Sequence, residues 1–410
     1  MLDLITDEGI NASGKDEIYG CIFGRDSFVT ILKILKAITN KKNAVIDKND
    51  LLAICRRSLL KLASLQGKEV NIESGEEPGK FIHEYRKDKY DHLLKLVKPW
   101  YVYADKTLRN YDSIDSTPLA LIAIYRYWQI TRDNEFLSFM LPHVEKGLVW
   151  LISYADYDRD KLIEYEFHKG RKFGGLEVQS WTDSLESLRQ VNGKLPMYPI
   201  APVEVQGYAW LALKHWSEFF GRPLMLYANR MKQVFNKLFI FKDKDCNYAA
   251  QALDGAKNKI TTITANPLLL LWATYEENGC RESIIDEKYI PDFIRRASME
   301  DLFDPDAGLR TMSTQSPTFN PRQDSYHNGS FWPKLNGQIH EGLEIWGFRE
   351  EAKKLKAATL KPLIYFKTPI ELYIKGDSGN YLEFRNGSQV GCRNQAWSAA
   401  AALDLLTCQD

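Results

Sequence analysis

Eight loops in the 410-residue sequence carry conspicuous polar or aromatic residues, and five of them combine Trp, Tyr or Phe with a charged residue or a histidine, mostly at the entrance of a predicted helix. A charged side chain can fork onto sugar hydroxyls, and an aromatic ring stacks on the apolar C–H face of a pyranose. This mixture favours a carbohydrate ligand. The loops are residues 23–27, 112–118, 177–184, 202–208, 308–311, 325–333, 382–387 and 395–399.

Each of these loops, taken alone, has a structural explanation. Arg25 and Asp26 suit an ion pair, Asp183 suits a helix N-cap and His327 suits a satisfied core histidine. Their co-occurrence in one chain favours a functional role, because binding and catalytic groups concentrate in loops that a rigid scaffold holds.

The scaffold is predicted to be helical, because apolar residues recur with helical spacing over most of the chain. Asn49 or Asp50 is the expected N-cap of the second helix, and residues 116–118 are expected to cap and open the third. Only residues 260–264 and 365–374 resemble strands. The predicted helices are 26–40, 49–66, 116–131, 135–155, 184–190, 203–220, 223–239, 266–278, 291–298, 330–346, 349–362 and 394–407.

About a dozen helices with few strands favour an all-α toroid of paired helices, whose long loops gather at one face. No linker or low-complexity segment divides the chain, so residues 1–410 are predicted to form a single domain.

Charge and composition narrow the possible partners. Lys and Arg number 54 and Asp and Glu also number 54, so the net charge of zero argues against binding to nucleic acid or an anionic membrane surface. No apolar stretch is long enough to cross a membrane, and the acidic, polar N-terminus does not resemble a signal peptide.

The six cysteines are scattered without a CxxC pair, which predicts reduced thiols in the cytoplasm. No metal or other cofactor is expected, because no ligands cluster along the sequence and residues 340–344 do not form a zinc-binding motif.

The ordered motifs resemble the amylo-α-1,6-glucosidase domain of glycogen debranching enzymes and related (α/α)6-barrel glycoside hydrolases. The series starts with Gly24-Arg25-Asp26 and Ser113-Ile114-Asp115, and continues through Trp181-x-Asp183 and Pro202-Val203-Glu204-Val205. Gly308-Leu309-Arg310-Thr311 and Tyr326-His327-x-Gly329-x-x-Trp332-Pro333 follow, and Leu382-Glu383-Phe384 and Gln395-Ala396-Trp397-Ser398 complete it. The resemblance spans nearly the whole chain.

This resemblance implies an inverting hydrolase of an α-glycosidic bond. The family's general acid corresponds to Asp183 and its general base to Glu383, with Glu204 as a second candidate base. Trp181 is expected to desolvate Asp183, whereas Glu383 is expected to be more solvated and ionised. The residues expected to bind substrate are Arg25, Asp26, Phe23, Asp115, Trp181, Glu204, Gln206, His327, Trp332 and Trp397.

Several alternatives stay open at this point. The substrate is either an oligosaccharide or a small glycoside such as glucosylglycerate or mannosylglycerate. A phosphorylase on the same scaffold, a sugar-binding module without catalysis and a histidine-dependent sugar epimerase are the other functional classes. Glu383 at the base position counts against the phosphorylase, and the presence of both carboxylates counts against the binding module. The scarcity of histidines counts against the epimerase. The sequence makes no prediction about the oligomeric state.

Overall fold

The computed structural model describes residues 4–40, 47–190 and 192–408, and twelve α-helices carry the fold within them. They are α1 (Gly24–Thr39), α2 (Lys48–Ser64), α3 (Asp91–Leu94), α4 (Ser116–Thr131), α5 (Asn134–Ser153), α6 (Val203–Phe220), α7 (Arg222–Leu238), α8 (Leu269–Trp272), α9 (Ile290–Ala297), α10 (Pro333–Ile345), α11 (Arg349–Phe366) and α12 (Ala396–Thr407).

Six of these helices form a closed inner ring. Helix α1 packs against α4, α4 against α6, α6 against α8, α8 against α10 and α10 against α12, and α12 returns to α1. An outer layer follows the ring, with α2 against α1, α5 against α4, α7 against α6 and α11 against α10. Helix α9 packs beside the 3₁₀ turn that precedes α8. The predicted (α/α)6 barrel is therefore confirmed.

The two layers differ in how their residues are buried. Inner helix α6 is buried continuously from Val203 to Ser217, as expected for a helix with neighbours on every side. Outer helix α7 buries only Leu224, Ala228, Met231 and Phe235, a spacing that places them on one face. Helix α3 belongs to neither layer, since it is one turn long, has no buried residue and lies in the connection between α2 and α4.

Residues 266–278 are a correction, because only their first part is helical. A 3₁₀ turn over Asn266–Leu268 leads into the single turn of α8, and Tyr275–Glu277 is a strand. Two glycines let the neighbouring helices approach this turn closely. A Cβ on Gly207 of α6 would lie 2.6 Å from Leu270 Cδ2, and one on Gly342 of α10 would lie 2.7 Å from the backbone nitrogen of Trp272.

Other local predictions were also wrong. Residues 184–190 form turns, and residues 365–374 divide between the end of α11 and a strand at Tyr373–Lys375. The N-cap of α2 is Asp47, whose carboxylate accepts hydrogen bonds from the backbone of Asn49 and Asp50. The N-cap position of α4 is Asp115, which makes no capping bond because its carboxylate binds Arg25.

The strands are short and pair in two- or three-stranded sheets within the loops. No helix in the described ranges is long and apolar enough to span a membrane. The strands are β1 (Ile5–Thr6), β2 (Gly9–Ile10), β3 (Ile22–Phe23), β4 (Glu84–Arg86), β5 (Leu108–Asn110), β6 (Ala201–Pro202), β7 (Ile240–Asp243), β8 (Cys246–Ala249), β9 (Ala252–Leu253), β10 (Lys259–Ile260), β11 (Tyr275–Glu277), β12 (Cys280–Glu282), β13 (Phe303–Asp304), β14 (Gly308–Leu309), β15 (Tyr373–Lys375), β16 (Tyr381–Glu383), β17 (Arg385–Asn386) and β18 (Gln389–Val390).

Candidate active site

A cavity of about 210 Å³ lies where the N-terminal ends of α1, α10 and α12 meet the loops. It brings together eight of the residues that the sequence predicts for the site, and twelve further residues complete its wall. The predicted residues are Phe23, Arg25, Asp26, Trp181, Asp183, His327, Trp332 and Trp397. The others are Ile18, Tyr19, His83, Glu84, Arg86, His92, Leu93, Trp100, Leu176, Tyr326, Glu371 and Gln395.

Arg25 fixes the geometry of one side of this cavity. Its Nη2 donates to Asp183 Oδ2 at 2.6 Å, and its Nη1 donates to the carbonyl of Ser180 at 2.9 Å and to Asp115 Oδ2 at 3.3 Å. Asp115 is fully buried behind Arg25 and does not line the cavity. Its contact with Arg25 indicates that it supports the site rather than binding the sugar directly.

Asp183 lies on the loop between α5 and α6, with its side chain 21% exposed. Burial among the cavity walls raises the pKa of its carboxyl group, and the charge of Arg25 only partly offsets this effect. The next residue, Ser184, holds the loop in place, since its hydroxyl lies 2.9 Å from His327 Nδ1. Burial keeps the pKa of His327 well below its ordinary value, so this histidine is neutral.

Glu371 is another carboxyl group in the cavity with a raised pKa, and residue types and spacing did not predict it. Burial raises its pKa to about 7, and the charge of Asp183 adds to the effect. Tyr326 donates its hydroxyl to Glu371 Oε1 at 2.5 Å, and the backbone nitrogen of Cys392 donates to Oε2 at 2.8 Å. The available signal was a single acidic residue within the apolar stretch Pro369-Ile370-Glu371-Leu372.

An aromatic cluster forms another wall. Trp332 stands edge to face with Trp181 and Trp397, with ring centroids 5.7 and 5.9 Å apart, and stacks on His327 at 4.8 Å. Phe23 and Tyr19 pack edge to face at 5.6 Å. These rings provide the apolar surfaces that the C–H face of a sugar requires.

Several buried polar atoms on cavity residues have no hydrogen-bond partner in the described ranges. They are Arg25 Nε, His83 Nδ1, Gln395 Oε1 and Trp397 Nε1. Buried polar groups are normally paired, so these atoms mark positions where ligand hydroxyls would find partners. Asp26 adds a further buried polar group, because burial raises its pKa to about 7 and its Oδ1 accepts a hydrogen bond from Gln395 Nε2 at 3.1 Å.

Three predicted site residues lie outside the cavity, as Asp115 does. Glu383 ends strand β16, is 33% exposed and binds Arg393 Nη1 at 2.6 Å. Glu204 is fully buried at the start of α6, where burial raises its pKa to about 7. Gln206 is equally buried and uses its amide to bond the backbone of Ile163 and Pro202, which fixes a loop to α6.

Two groups of residues that could ligate a metal come together in the part of the chain that the structure describes. His340 and Glu344 of α10 lie with Cys408 such that their ligand atoms are within 4.8 Å of one another. Asp156, Asp158 and Asp160 do the same, and Lys257 Nζ already lies 2.9 Å from Asp158 and 2.7 Å from Asp160. Neither group lines the cavity.

The sequence matches the family model described as amylo-alpha-1,6-glucosidase over residues 95–404, which is more than half of the chain. The chain belongs to this family. It is a glycoside hydrolase, and the cavity described above is the candidate active site of this glycosidase.

Solved structures share the fold of the chain. A GH63 mannosylglycerate hydrolase from Thermus thermophilus in complex with Tris aligns with a TM-score of 0.65 and 15% identity, covering 98% of this chain and 96% of that one. The same enzyme in complex with glucose gives 0.64 and 16%, with the same coverage. An uncharacterized conserved protein from that organism gives 0.63 and 15%, covering 98% and 97%. No curated protein matches the sequence significantly.

Proposed function

We propose that this glycosidase hydrolyses an α-glycosidic bond with inversion, using Asp183 as general acid and Glu371 as general base. The observation that carries the proposal is that Asp183 and Glu371, whose carboxyl pKa values are both raised, line one small cavity together with stacking aromatic rings. Perturbed carboxyl groups in a cleft are typical of catalytic acids and bases.

The chemistry follows from the two groups. Protonated Asp183 gives its proton to the glycosidic oxygen as the bond from C1 to that oxygen breaks. Ionised Glu371 takes a proton from water, whose oxygen bonds to C1 on the opposite face of the ring. Room for that water requires carboxyl groups roughly 6.5–9.5 Å apart. Arg25 orients Asp183, and Tyr326 orients Glu371.

Glu371 is preferred to Glu383 as the base because of its surroundings. Glu371 faces the cavity and accepts two hydrogen bonds, which stabilise its ionised form. Glu383 is bound to Arg393 and does not line the cavity, so a water activated by it would lie away from the sugar. The family resemblance implied Glu383, and the two assignments predict opposite results for the same pair of variants.

The deciding experiment compares Asp183→Asn, Glu371→Gln and Glu383→Gln on one hydrolysable α-glycoside. The first two should each lower kcat by about 10²–10⁴-fold, the usual contribution of an acid or base, with the fold intact by circular dichroism. Glu383→Gln is the matched control and should keep kcat within about threefold of wild type. A large loss in Glu383→Gln together with a near-normal Glu371→Gln would return the base to Glu383.

A small glycoside, rather than a long glucan, is the substrate size that the cavity supports. Its volume of about 210 Å³ is below the ~300–1,000 Å³ of pockets that enclose drug-sized ligands. One of the structurally similar proteins is described as a mannosylglycerate hydrolase, which makes a glycerate glycoside a second candidate. The cytoplasmic location and the single-domain organisation stay predictions from the sequence.

A further inference from the structure

Lys334, the second residue of α10, lies against the aromatic part of the cavity wall. It is only 1% exposed, and its ammonium nitrogen is 4.2 Å from the centroid of the Trp181 ring and 5.4 Å from that of the Trp397 ring. Both rings line the cavity, whereas Lys334 does not. The ammonium group therefore meets the two rings from outside the cavity and leaves their cavity surfaces open to a ligand.

The aromatic rings take the place that a carboxylate usually takes beside a buried lysine. The ion pairs formed within residues 4–40, 47–190 and 192–408 do not include Lys334, whereas the equally buried Lys33 binds Glu341 and Asp404. An ammonium group over the face of an indole ring is attracted by the electrons of the ring, and the attraction is stronger where water is excluded. The two tryptophans are thus the closest partners of this charge.

The side chain of Lys334 is charged on the acid side of neutrality. Burial lowers its pKa to about 7, and the charge of Arg25 acts in the same direction. The carboxylates of Asp115, Glu204 and Asp26 are farther away, and their charges oppose this effect. Below pH 7 the group over the rings is therefore an ammonium ion.

The two rings have few other contacts that fix their orientation. Trp181 donates its Nε1 to Asn266 Oδ1 at 3.1 Å, but Trp397 Nε1 has no hydrogen-bond partner among the described residues. Trp332 contacts both rings edge to face, with centroids 5.7 and 5.9 Å away, and itself lines the cavity. Lys334 contacts the same two rings from outside the cavity, so it contributes to their relative orientation without occupying ligand space.

That orientation matters for the reaction because of where Trp181 lies. Trp181 precedes Asp183 by two residues in the same loop, and both side chains line the cavity. A sugar stacked on the Trp181 ring is therefore held beside the proposed general acid. A small rotation of the ring would displace the sugar from Asp183.

We infer that Lys334 is a positioning residue, whose ammonium group holds the Trp181 and Trp397 rings in the orientation in which a sugar stacks beside Asp183. The inference rests on the proposed function, since it concerns the sugar of the same hydrolysis. Lys334 acts through the rings and touches neither the substrate nor the reacting atoms. Because a stacked sugar contacts the rings before and during bond cleavage, this role affects ground-state and transition-state binding alike.

Lys334→Met tests the inference, since it keeps the apolar stem of the side chain and removes the charge. At about pH 6, KM for the α-glucosyl or α-mannosyl fluoride that the wild type hydrolyses should rise about tenfold, while kcat stays within about threefold. The near-ultraviolet circular dichroism of the tryptophans should change, with the far-ultraviolet spectrum unchanged. An unchanged KM, or a lower kcat at an unchanged KM, would overturn the inference. No hydrolysis of either fluoride by the wild type would instead remove the proposed function.

Lys214→Met is the matched control. Lys214 of α6 is also buried, at 7% exposure, and its ammonium nitrogen lies 5.6 Å from the Trp210 ring centroid and 4.9 Å from that of Tyr275. Neither ring lines the cavity, so this variant loses a similar contact away from the sugar and should keep KM within about twofold of the wild type. An equal rise of KM in both variants would show a general effect of losing a buried lysine and would overturn the inference.

Lys334→Arg separates the charge of the side chain from its shape. A guanidinium group also stacks on aromatic faces, so this variant should keep KM within about threefold of the wild-type value. If Lys334→Arg raised KM as much as Lys334→Met does, the positive charge would not be what holds the rings, and the inference would be wrong.

Discussion

Burial raises the pKa values of both Asp183 and Glu371, and the charge of Asp183 adds to the effect on Glu371. The productive form carries one proton, on Asp183, while Glu371 is ionised. Because the two groups interact, the pKa values that an experiment observes describe the pair as a whole and not either residue alone. The pair therefore predicts the pH dependence of the reaction.

A bell-shaped profile of kcat/KM against pH is expected, with its maximum on the acid side of neutrality. Above about pH 7, the pKa of Glu371, the pair loses its last proton and no acid is left to protonate the leaving oxygen. At low pH the pair takes up a second proton and the base is lost. Initial rates from pH 4 to 9 measure the profile. An activity that keeps rising above pH 8 would contradict the shared-proton pair.

Glu371 and Glu383 show what residue types alone can tell about the site. Arg25, Asp183 and the Trp motifs were predictable, because charged and aromatic residues together at helix entrances are unusual. Glu371 was not, since one acidic residue in an apolar stretch looks like a strand residue until the fold surrounds it. Asp115, Glu204 and Gln206 have the right chemistry in the right loops, but each is fully buried and bonded to protein, which spacing does not reveal.

At the scale of elements, a buried lysine joins three inner helices. Lys33 of α1 is 1% exposed, and its ammonium group donates to Asp404 of α12 at 2.8 Å. It also donates to Glu341 at 2.6 Å and to the carbonyl of Gly337 at 2.8 Å, both on α10. These contacts lie where the last inner helices meet the first.

Replacing this lysine with a residue of similar length tests its contribution. Lys33→Met leaves Asp404 buried without its partner, which should lower the free energy of unfolding by about 3–5 kcal/mol in urea titrations. Lys353→Met, an exposed position on α11, is the control and should change it by less than about 0.5 kcal/mol. The double variant Lys33→Met with Asp404→Leu should recover part of the loss. If Lys33→Met unfolded at the same urea concentration as the wild type, the contacts of Lys33 with Asp404 and Glu341 would not stabilise the ring.

Long helices were the most predictable elements, and α4 and α6 begin and end at the predicted residues. The helix predicted over residues 266–278 was wrong, because packing against neighbouring helices overrides the local preference for helix. Helix α8 is shortened between Gly207 and Gly342, whose missing side chains bring α6 and α10 against it. That close approach depends on residues more than 60 positions away, so the pattern around residues 266–278 did not indicate it.

At the scale of the whole molecule, closure of the ring makes the site depend on both ends of the chain. Helix α12 packs against α1, and the cavity takes Arg25 and Asp26 from α1 and Trp397 from α12. Cavity residues from distant parts of the sequence are thus held by one ring.

Unfolding should therefore occur in one cooperative step. Tryptophans from Trp100 to Trp397 report on most of the ring, so their fluorescence and the far-ultraviolet circular dichroism should change at the same urea concentration. Two separate transitions would indicate two independently folding parts and contradict the single-domain prediction.

In the proposed mechanism, water activated by Glu371 attacks C1 from the face opposite the departing group. Proton NMR during the first turnovers of an α-glycosyl fluoride tests this most directly. The β-anomer of the free sugar should appear first, and Glu371→Gln should abolish its formation. The α-anomer appearing first, or β-anomer formed at the wild-type rate by Glu371→Gln, would contradict it.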